Sequence, residues 1–209
     1  MSAGIVVLTK VAAPGKVKTR LAAEIGTDKA LHLHTAMLDH TISLALSTGL
    51  DVTVSLAGSD NGATAARLIE LGVEVQQQPD GDLGHKLRHA MGHKRRMIAL
   101  GSDCVVFDPQ WLVDAAESPV PVAIGPSDDG GYWTIVIGGG RDDLMDALLT
   151  DMPWSQPTLM RQTITRLEHL GVDYTVLPES YDVDQESDLS RLLADPRCPP
   201  RVLEIMRSA

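Results

Sequence analysis

Short apolar runs alternate along the chain with longer stretches whose apolar residues recur at helical spacing. Gly4 to Leu8 is a continuous run rich in β-branched residues, the pattern of a strand buried on both faces. From Thr27, read as an N-cap, to Ser47, apolar residues such as Ala30, Leu33, Met37, Leu38 and Ile42 return every three or four positions and predict a long helix. Asp51 to Ala57 alternates, with Val52, Val54 and Leu56 on one face, and predicts a second strand. A helix over 63–71 ends at Gly72, and Val73 to Val75 reads as a short strand. The turn-rich stretch 78–84 leads into a helix ending near Gly92, and Arg96 to Leu100 is a further buried strand. Pro109 opens a helix to Ala116, and residues 120–125 and 132–137 are strands around a Gly-containing loop. Ser155 or Thr158 opens a helix to Leu170, residues 172–177 form the last strand, and helices at 185–194 and 200–206 close the chain.

Strands separated by helices predict β-α-β units. The expected fold is α/β: one three-layer α/β/α domain over residues 1–209 with a mostly parallel sheet and a helical tail at 195–209. A length of 209 residues suits one domain, given roughly 100–200 residues per domain. In such sheets ligands bind in the crevice beyond the carboxyl ends of the strands, so the chemistry is sought there.

Composition narrows the classes. The net charge is −10 and only seven residues are aromatic, which argues against a nucleic-acid surface. No apolar run approaches the ~20 residues of a membrane span, and no basic-then-apolar segment opens the chain, so a cytoplasmic protein is expected. Cys104 and Cys198 form no C-x-x-C pair or disulfide framework. His85, His89 and His93 share a helical face, yet no acid or cysteine at fitting spacing joins them, and they read as surface histidines. No G-x-S-x-G elbow is present, which disfavours a serine hydrolase.

The polar residues concentrate after strands. Lys10, Lys16, Lys18 and Arg20 follow the first strand, with Pro14 and Gly15 suited to a tight loop whose N–H groups approach an anion. This is a phosphate-binding composition, though neither a P-loop nor a G-x-G-x-x-G fingerprint, and composition alone also fits a solvated basic loop. Asp103 ends the strand 96–100, where a carboxylate faces the crevice. Mg²⁺ takes one or two carboxylates plus substrate phosphates, and a lone Asp also serves as a cap. A second carboxylate is sought in Tyr181-Asp182-Val183-Asp184, where four acids fall within 182–188; Asp184 also suits the cap of the following helix. The loop Asp128-Asp129-Gly130-Gly131-Tyr132 supplies a carboxylate and an aromatic wall, or merely a decorated turn.

Five segments occur in order: Pro14-Gly-Lys-Val-Lys-Thr-Arg-Leu21, Gly81-Asp-Leu-Gly84, Gly101-Ser-Asp-Cys104, Asp129-Gly-Gly-Tyr132 and Tyr181-Asp-Val-Asp184. Together they resemble the bacterial GT-A-type glycosyltransferase family of the nucleotide-diphospho-sugar transferase superfamily, across about residues 3–194. Val105 and His85 depart from that family, which commonly has proline and an acid at these positions. The resemblance implies that the loop carrying Lys10, Gly15, Lys16, Lys18 and Arg20 holds nucleotide phosphates. It places Gly81, Asp82, Leu83 and Gly84 near the base or sugar, and it makes Asp103 and Asp184 ligands of a divalent metal, Mg²⁺ or Mn²⁺. Asp128, Asp129, Gly130, Gly131 and Tyr132 line the acceptor or sugar pocket, with Lys18, Arg20 and Asp129 catalytic. The expected reaction is metal-dependent transfer from a nucleotide-diphospho-sugar to a small acceptor. The alternative is nucleotidyl transfer from a nucleoside triphosphate to a phosphate monoester, because the Lys-x-Thr-Arg-Leu loop is similar to that of guanylyltransferases. A non-catalytic nucleotide-binding domain is the third reading. Because Tyr132, Trp133 and Tyr181 fall inside these motifs, the scarce aromatics are expected as pocket walls rather than core filling.

Overall fold

The computed structural model describes residues 3–92, 96–138 and 141–207, so His93 lies outside the described residues. Its first strand, β1 (Ala3–Lys10), sends alternate side chains to opposite sides. Ile5 and Val7 enter one apolar cluster and Val6 enters another. Both faces of the strand are therefore buried, which is why its sequence reads as a continuous apolar run. The remaining strands are β2 (Asp51–Ala57), β3 (Glu74–Gln77), β4 (Arg96–Gly101), β5 (Val122–Pro126), β6 (Tyr132–Gly138) and β7 (Tyr174–Val176). They form a seven-stranded sheet in the order β3-β2-β1-β4-β6-β5-β7. The pairs β1–β2, β1–β4, β2–β3 and β5–β7 are parallel. Only β6 runs antiparallel to its neighbours β4 and β5.

Helices cover both sides, giving the three-layer α/β/α architecture. On one face lie α2 (Thr27–Ser47), α3 (Ala63–Glu70) and α5 (Pro109–Glu117), contributing Leu38, Ile42, Leu68 and Leu112 to the core. On the other lie α4 (Leu83–Met91), α6 (Asp142–Leu149) and α7 (Leu159–Leu170), contributing Leu87, Leu144, Leu148 and Leu167. A third cluster joins α1 (Thr19–Ile25), α2, α8 (Glu186–Ala194) and α9 (Pro200–Arg207) through Leu21, Leu33, Leu189, Val202 and Ile205. The tail thus packs on its own domain.

Several elements differ from the sequence expectation. Helix α1 falls in a stretch to which the sequence pattern assigns no element; it begins after Lys18 with no side-chain cap and buries only Leu21. Helix α6 carried no cap signal either, since Arg141 precedes it without a capping bond. Gly26, not Thr27, is the N-cap of α2, and Thr158 rather than Ser155 precedes α7. The last strand shrinks from 172–177 to Tyr174–Val176, because the Val172 N–H is taken by the Leu167 carbonyl at the end of α7 and Pro178 follows Leu177.

The aromatic expectation is corrected for two of three residues. Trp133 is buried, stacked on Phe107 with centroids 5.2 Å apart, and its indole N–H donates to the Pro178 carbonyl. Tyr181 is buried in the third cluster, with the Arg191 guanidinium 3.8 Å from its ring centroid. A large ring offers so much burial energy that a core short of aromatics uses those it has.

Gly84 shows how tightly α4 is seated. A Cβ there would lie 1.8 Å from the Leu149 carbonyl oxygen and 3.1 Å from the Trp154 ring. Gly84→Ala is expected to destabilise the fold by about 2 kcal/mol or more, as overpacking does. Chemical denaturation checks this, and a loss under about 0.5 kcal/mol would mean that α4 can shift freely.

Candidate functional site

Beyond the carboxyl ends of β1 and β4 opens a cavity of about 660 Å³. Parallel pairing sets its floor: Val7 lies opposite Leu100 and Leu8 opposite Gly101, so the loops leaving β1 and β4 emerge side by side. The first carries the cations and the second carries Asp103.

Lys18 is the centre of the floor. Its backbone is left-handed (φ 46, ψ 45), a conformation that costs energy outside glycine. Its Nζ lies 3.0 Å from Asp103 Oδ2 and 2.8 Å from Asp184 Oδ1. The lysine side chain is only 3% exposed, against 36% for Asp103 and 50% for Asp184. Burial works against the charge of Lys18, but the two carboxylates outweigh it and raise its pKa. Burial likewise pushes Asp103 up, and the Lys18 ammonium more than offsets this, holding the carboxyl below its ordinary value. The Ser102 hydroxyl donates to Asp103 at 3.1 Å.

The acidic run 182–188 divides its work. Asp188 accepts from the Asp184 and Gln185 N–H groups and forms a capping box at α8. That frees Asp184 from capping, and both Asp182 and Asp184 line the cavity. Burial, then the neighbouring Asp103 and Asp184, pushes Asp182 up to about 7.

Of the residues singled out in the sequence, Lys10, Lys16, Lys18, Arg20, Leu83, Asp103, Asp129, Gly131, Tyr132 and Asp184 line this one cavity. The others do not. Gly15 makes the left-handed turn of the cationic loop (φ 69). Asp82 caps α4 by accepting from the His85 N–H, and Gly81 packs beneath the His85 ring. Gly84 is wedged against Leu149. Asp128 turns away to pair with Arg191 on α8. Gly130, at φ 87, packs against the Pro157 carbonyl, where a Cβ would meet oxygen at 2.2 Å. Asp129 accepts from the Gly131 N–H at 2.9 Å. The Tyr132 ring borders the cavity while burial raises its hydroxyl's pKa. Lys10, Lys16 and Arg20 have no ion-pair partner among the described residues.

Sequence reasoning missed other wall residues. Gln78 donates its amide to the Thr9 and Ser55 carbonyls, which leaves its acceptor oxygen for the cavity. Lys86 of α4, a further cation without an ion-pair partner among the described residues, lies one turn beyond the Asp82 cap. His34 of α2 is buried, has its pKa lowered by burial, and borders the same floor. Ser155 (φ 59), Gln156 and Leu159 form the wall before and at the start of α7. Only Asp182 carried a signal, as part of the acidic run. Cys104 is buried, does not line the cavity, and has its thiol pushed up to about 12 by burial, the profile of a structural rather than a nucleophilic cysteine.

Among the described residues no group of three or more His, Cys, Asp or Glu side chains is arranged to hold a metal. The donor set is instead two carboxylates sharing one cation. That fits a hard divalent ion whose remaining ligands are water and substrate phosphates, and does not fit an all-protein cage. No helix among the described residues is long and apolar enough to cross a membrane.

The family model described as "Uncharacterized protein conserved in bacteria (DUF2064)" matches residues 38–177. No curated protein matches the chain. Among solved structures, a provisionally named nucleotide-diphospho-sugar transferase from Desulfovibrio desulfuricans G20 is similar with a TM-score of 0.87 at 24% identity, over 99% of this chain and 95% of its own. The inositol-1-phosphate CTP transferase of T. maritima gives 0.60 at 14% identity, over 100% and 98%. The manganese complex of Rv0371c from Mycobacterium tuberculosis H37Rv gives 0.56 at 19% identity, over 92% and 98%. At these identities the likeness establishes a shared fold.

The Asp182 carboxyl gives a pH signature. An unfolded aspartate titrates near 3.9, so between about pH 4 and 7 the native state holds a proton that the unfolded state has lost. Stability therefore falls as pH rises through that window and levels off above it. In chelated buffer, Asp182→Asn is expected to be more stable than the native sequence above about pH 7, with the difference vanishing toward pH 4. Thermal unfolding from pH 4 to 8 measures it, and parallel curves would refute a buried carboxylate there.

Proposed function

Since the chain belongs to the bacterial family DUF2064, and its cavity sets lysines and an arginine beside a carboxylate pair, we propose that it is a metal-dependent transferase acting on a nucleotide-diphospho-sugar and a small acceptor. One observation carries this reading. Lys16 and Arg20, without an ion-pair partner among the described residues, and the Lys18-bridged carboxylates Asp103 and Asp184 line the same cavity. An anionic diphosphate needs the first group, and its counter-ion needs the second.

The leaving group of sugar transfer is a nucleoside diphosphate, whose negative charge grows as the glycosidic bond breaks. Lys16, Lys18 and Arg20 meet that charge, an electrostatic role that favours the transition state over the bound donor. Asp103 and Asp184 would hold the divalent ion, which when bound supplies Lewis-acid stabilisation of the diphosphate. The Gly131 N–H fixes one Asp129 oxygen, and the carboxylate orients the acceptor hydroxyl or takes its proton. The acceptor would lie along Tyr132, Ser155 and Gln156, and the Gln78 acceptor oxygen suits an N–H of the nucleobase.

A second reading, nucleotidyl transfer with release of pyrophosphate, is supported by the fold shared with a CTP transferase over its whole length. The same cations would then stabilise the α-phosphoryl transition state, with little need of a base. A thermal-shift panel of nucleoside triphosphates and nucleotide sugars, each with and without Mn²⁺, separates the two. Stabilisation by nucleotide sugars is expected, and stabilisation by triphosphates alone would reverse the order of the readings.

Asp103→Asn is expected to abolish the metal dependence of nucleotide binding. In titration calorimetry with and without Mn²⁺, an affinity and metal response equal to those of the native protein would remove Asp103 from the metal site.

A further inference from the structure

Lys18 differs from the other cations of its loop. Lys16 and Arg20 are exposed and have no ion-pair partner among the described residues, as a residue waiting for phosphate should be. Lys18 is enclosed, and both of its contacts are carboxylates that the reading above assigns to a metal. A divalent ion binds carboxylate oxygens at about 2.0–2.2 Å and draws on the same lone pairs that an ammonium uses. The two cations cannot share these oxygens without close like-charge contact in a partly desolvated site.

We propose that Lys18 is an exchangeable internal counter-ion. Its ammonium holds Asp103 and Asp184 together while the site is empty of substrate, and a divalent cation displaces it. The freed side chain then turns to the phosphates gathered by Lys16 and Arg20. This rests on the metal and phosphate reading of the site and adds its regulation.

The charges support the exchange. Two carboxylates and one ammonium leave a residual negative charge, which attracts a dication. A dication with the ammonium still nearby leaves a net positive charge, which only an anion relieves. Metal binding thus carries the cost of displacing Lys18, and phosphate binding receives Lys18 as a ligand. The two ligands are positively coupled, and coupling is reciprocal. The other groups at this floor do not oppose the movement. Burial lowers the His34 pKa, and Asp182 and Ser102 offer no second cation to take the place of Lys18. Lys18 stands immediately before the short α1, and its ammonium meets carboxylates from two other segments, Asp103 after β4 and Asp184 before α8.

The experiment is Mn²⁺ binding to the full chain, followed by the paramagnetic resonance of free Mn²⁺, with and without inorganic pyrophosphate as the phosphate probe. Three proteins are compared: the native sequence, Lys18→Gln and Lys18→Arg, each checked for cooperative melting. Without pyrophosphate, Lys18→Gln is expected to bind Mn²⁺ about tenfold more tightly, within the usual range of coupling effects. At saturating Mn²⁺ the same variant is expected to bind pyrophosphate more weakly. Opposite signs on the two ligands mark an exchangeable cation; a merely structural lysine would weaken both when lost. Lys18→Arg, whose fork grips carboxylates in two places, is expected to bind Mn²⁺ more weakly than the native protein. If Lys18→Gln does not fold, that comparison decides alone, and an unchanged affinity in Lys18→Arg overturns the proposal. Equal or weaker Mn²⁺ binding by a folded Lys18→Gln, with pyrophosphate still bound, overturns the exchange and leaves the metal and phosphate reading standing. No Mn²⁺ binding by any of the three, with or without pyrophosphate, overturns both.

Discussion

The parallel pairing of β1 with β4 is the constraint on which the site depends. It brings together two loops distant in sequence, one after Lys10 and one after Gly101, and sets their exits side by side, Leu8 against Gly101. Lys18 can then reach Asp103, and the β4 loop in turn guides the returning chain, because the Val183 N–H donates to the Asp103 carbonyl. Asp184 is thereby delivered to the same ammonium. One register choice therefore sets three charges, and a slip of one residue would turn the alternate side chains of β1 from one cluster to the other.

The antiparallel strand β6 completes this frame. It separates β4 from β5, and its first residues continue from the loop that carries Asp129. Because β6 runs against its neighbours, its beginning lies at the end of the sheet where β4 finishes, with Thr134 opposite Leu100. The Asp129 loop therefore borders the cavity although it precedes its strand. The usual rule, that chemistry follows the carboxyl end of a strand, is met here by the amino end of a reversed one.

The layer order and most strands were legible because double-sided burial leaves continuous apolar runs. Strand direction was not legible. Tyr132 to Ile137 has the same composition whichever way it runs, since direction follows from loop geometry and not from side-chain pattern. Helices α1 and α6 escaped because neither has a side-chain cap, and α1 buries one leucine alone. The charged residues that end up in the cavity were found where several stood together, as at 10–20 and 182–188. Gln78, Lys86, His34 and Ser155 escaped because each stands alone in its segment and acquires its place only through packing. The reverse error arose with Trp133, Tyr181 and Asp128. Each sits within a motif, but side-chain direction, not sequence neighbourhood, sends the rings to the core and Asp128 to Arg191.

Gly84 and Gly130 come from different motifs, yet both close on the single segment that joins α6 to α7. One meets the Leu149 carbonyl and the Trp154 ring, the other the Pro157 carbonyl, and the Met160 N–H donates back to Gly130. The wall formed by Ser155, Gln156 and Leu159 is therefore clamped from two sides before anything binds. A ligand seated against it would have little of this loop left to order, which lowers the entropic cost of binding. The same clamping denies the wall any room to retreat. Any selection on that side would then work by shape, admitting what matches the preset contour and excluding bulk that a looser segment would have accommodated.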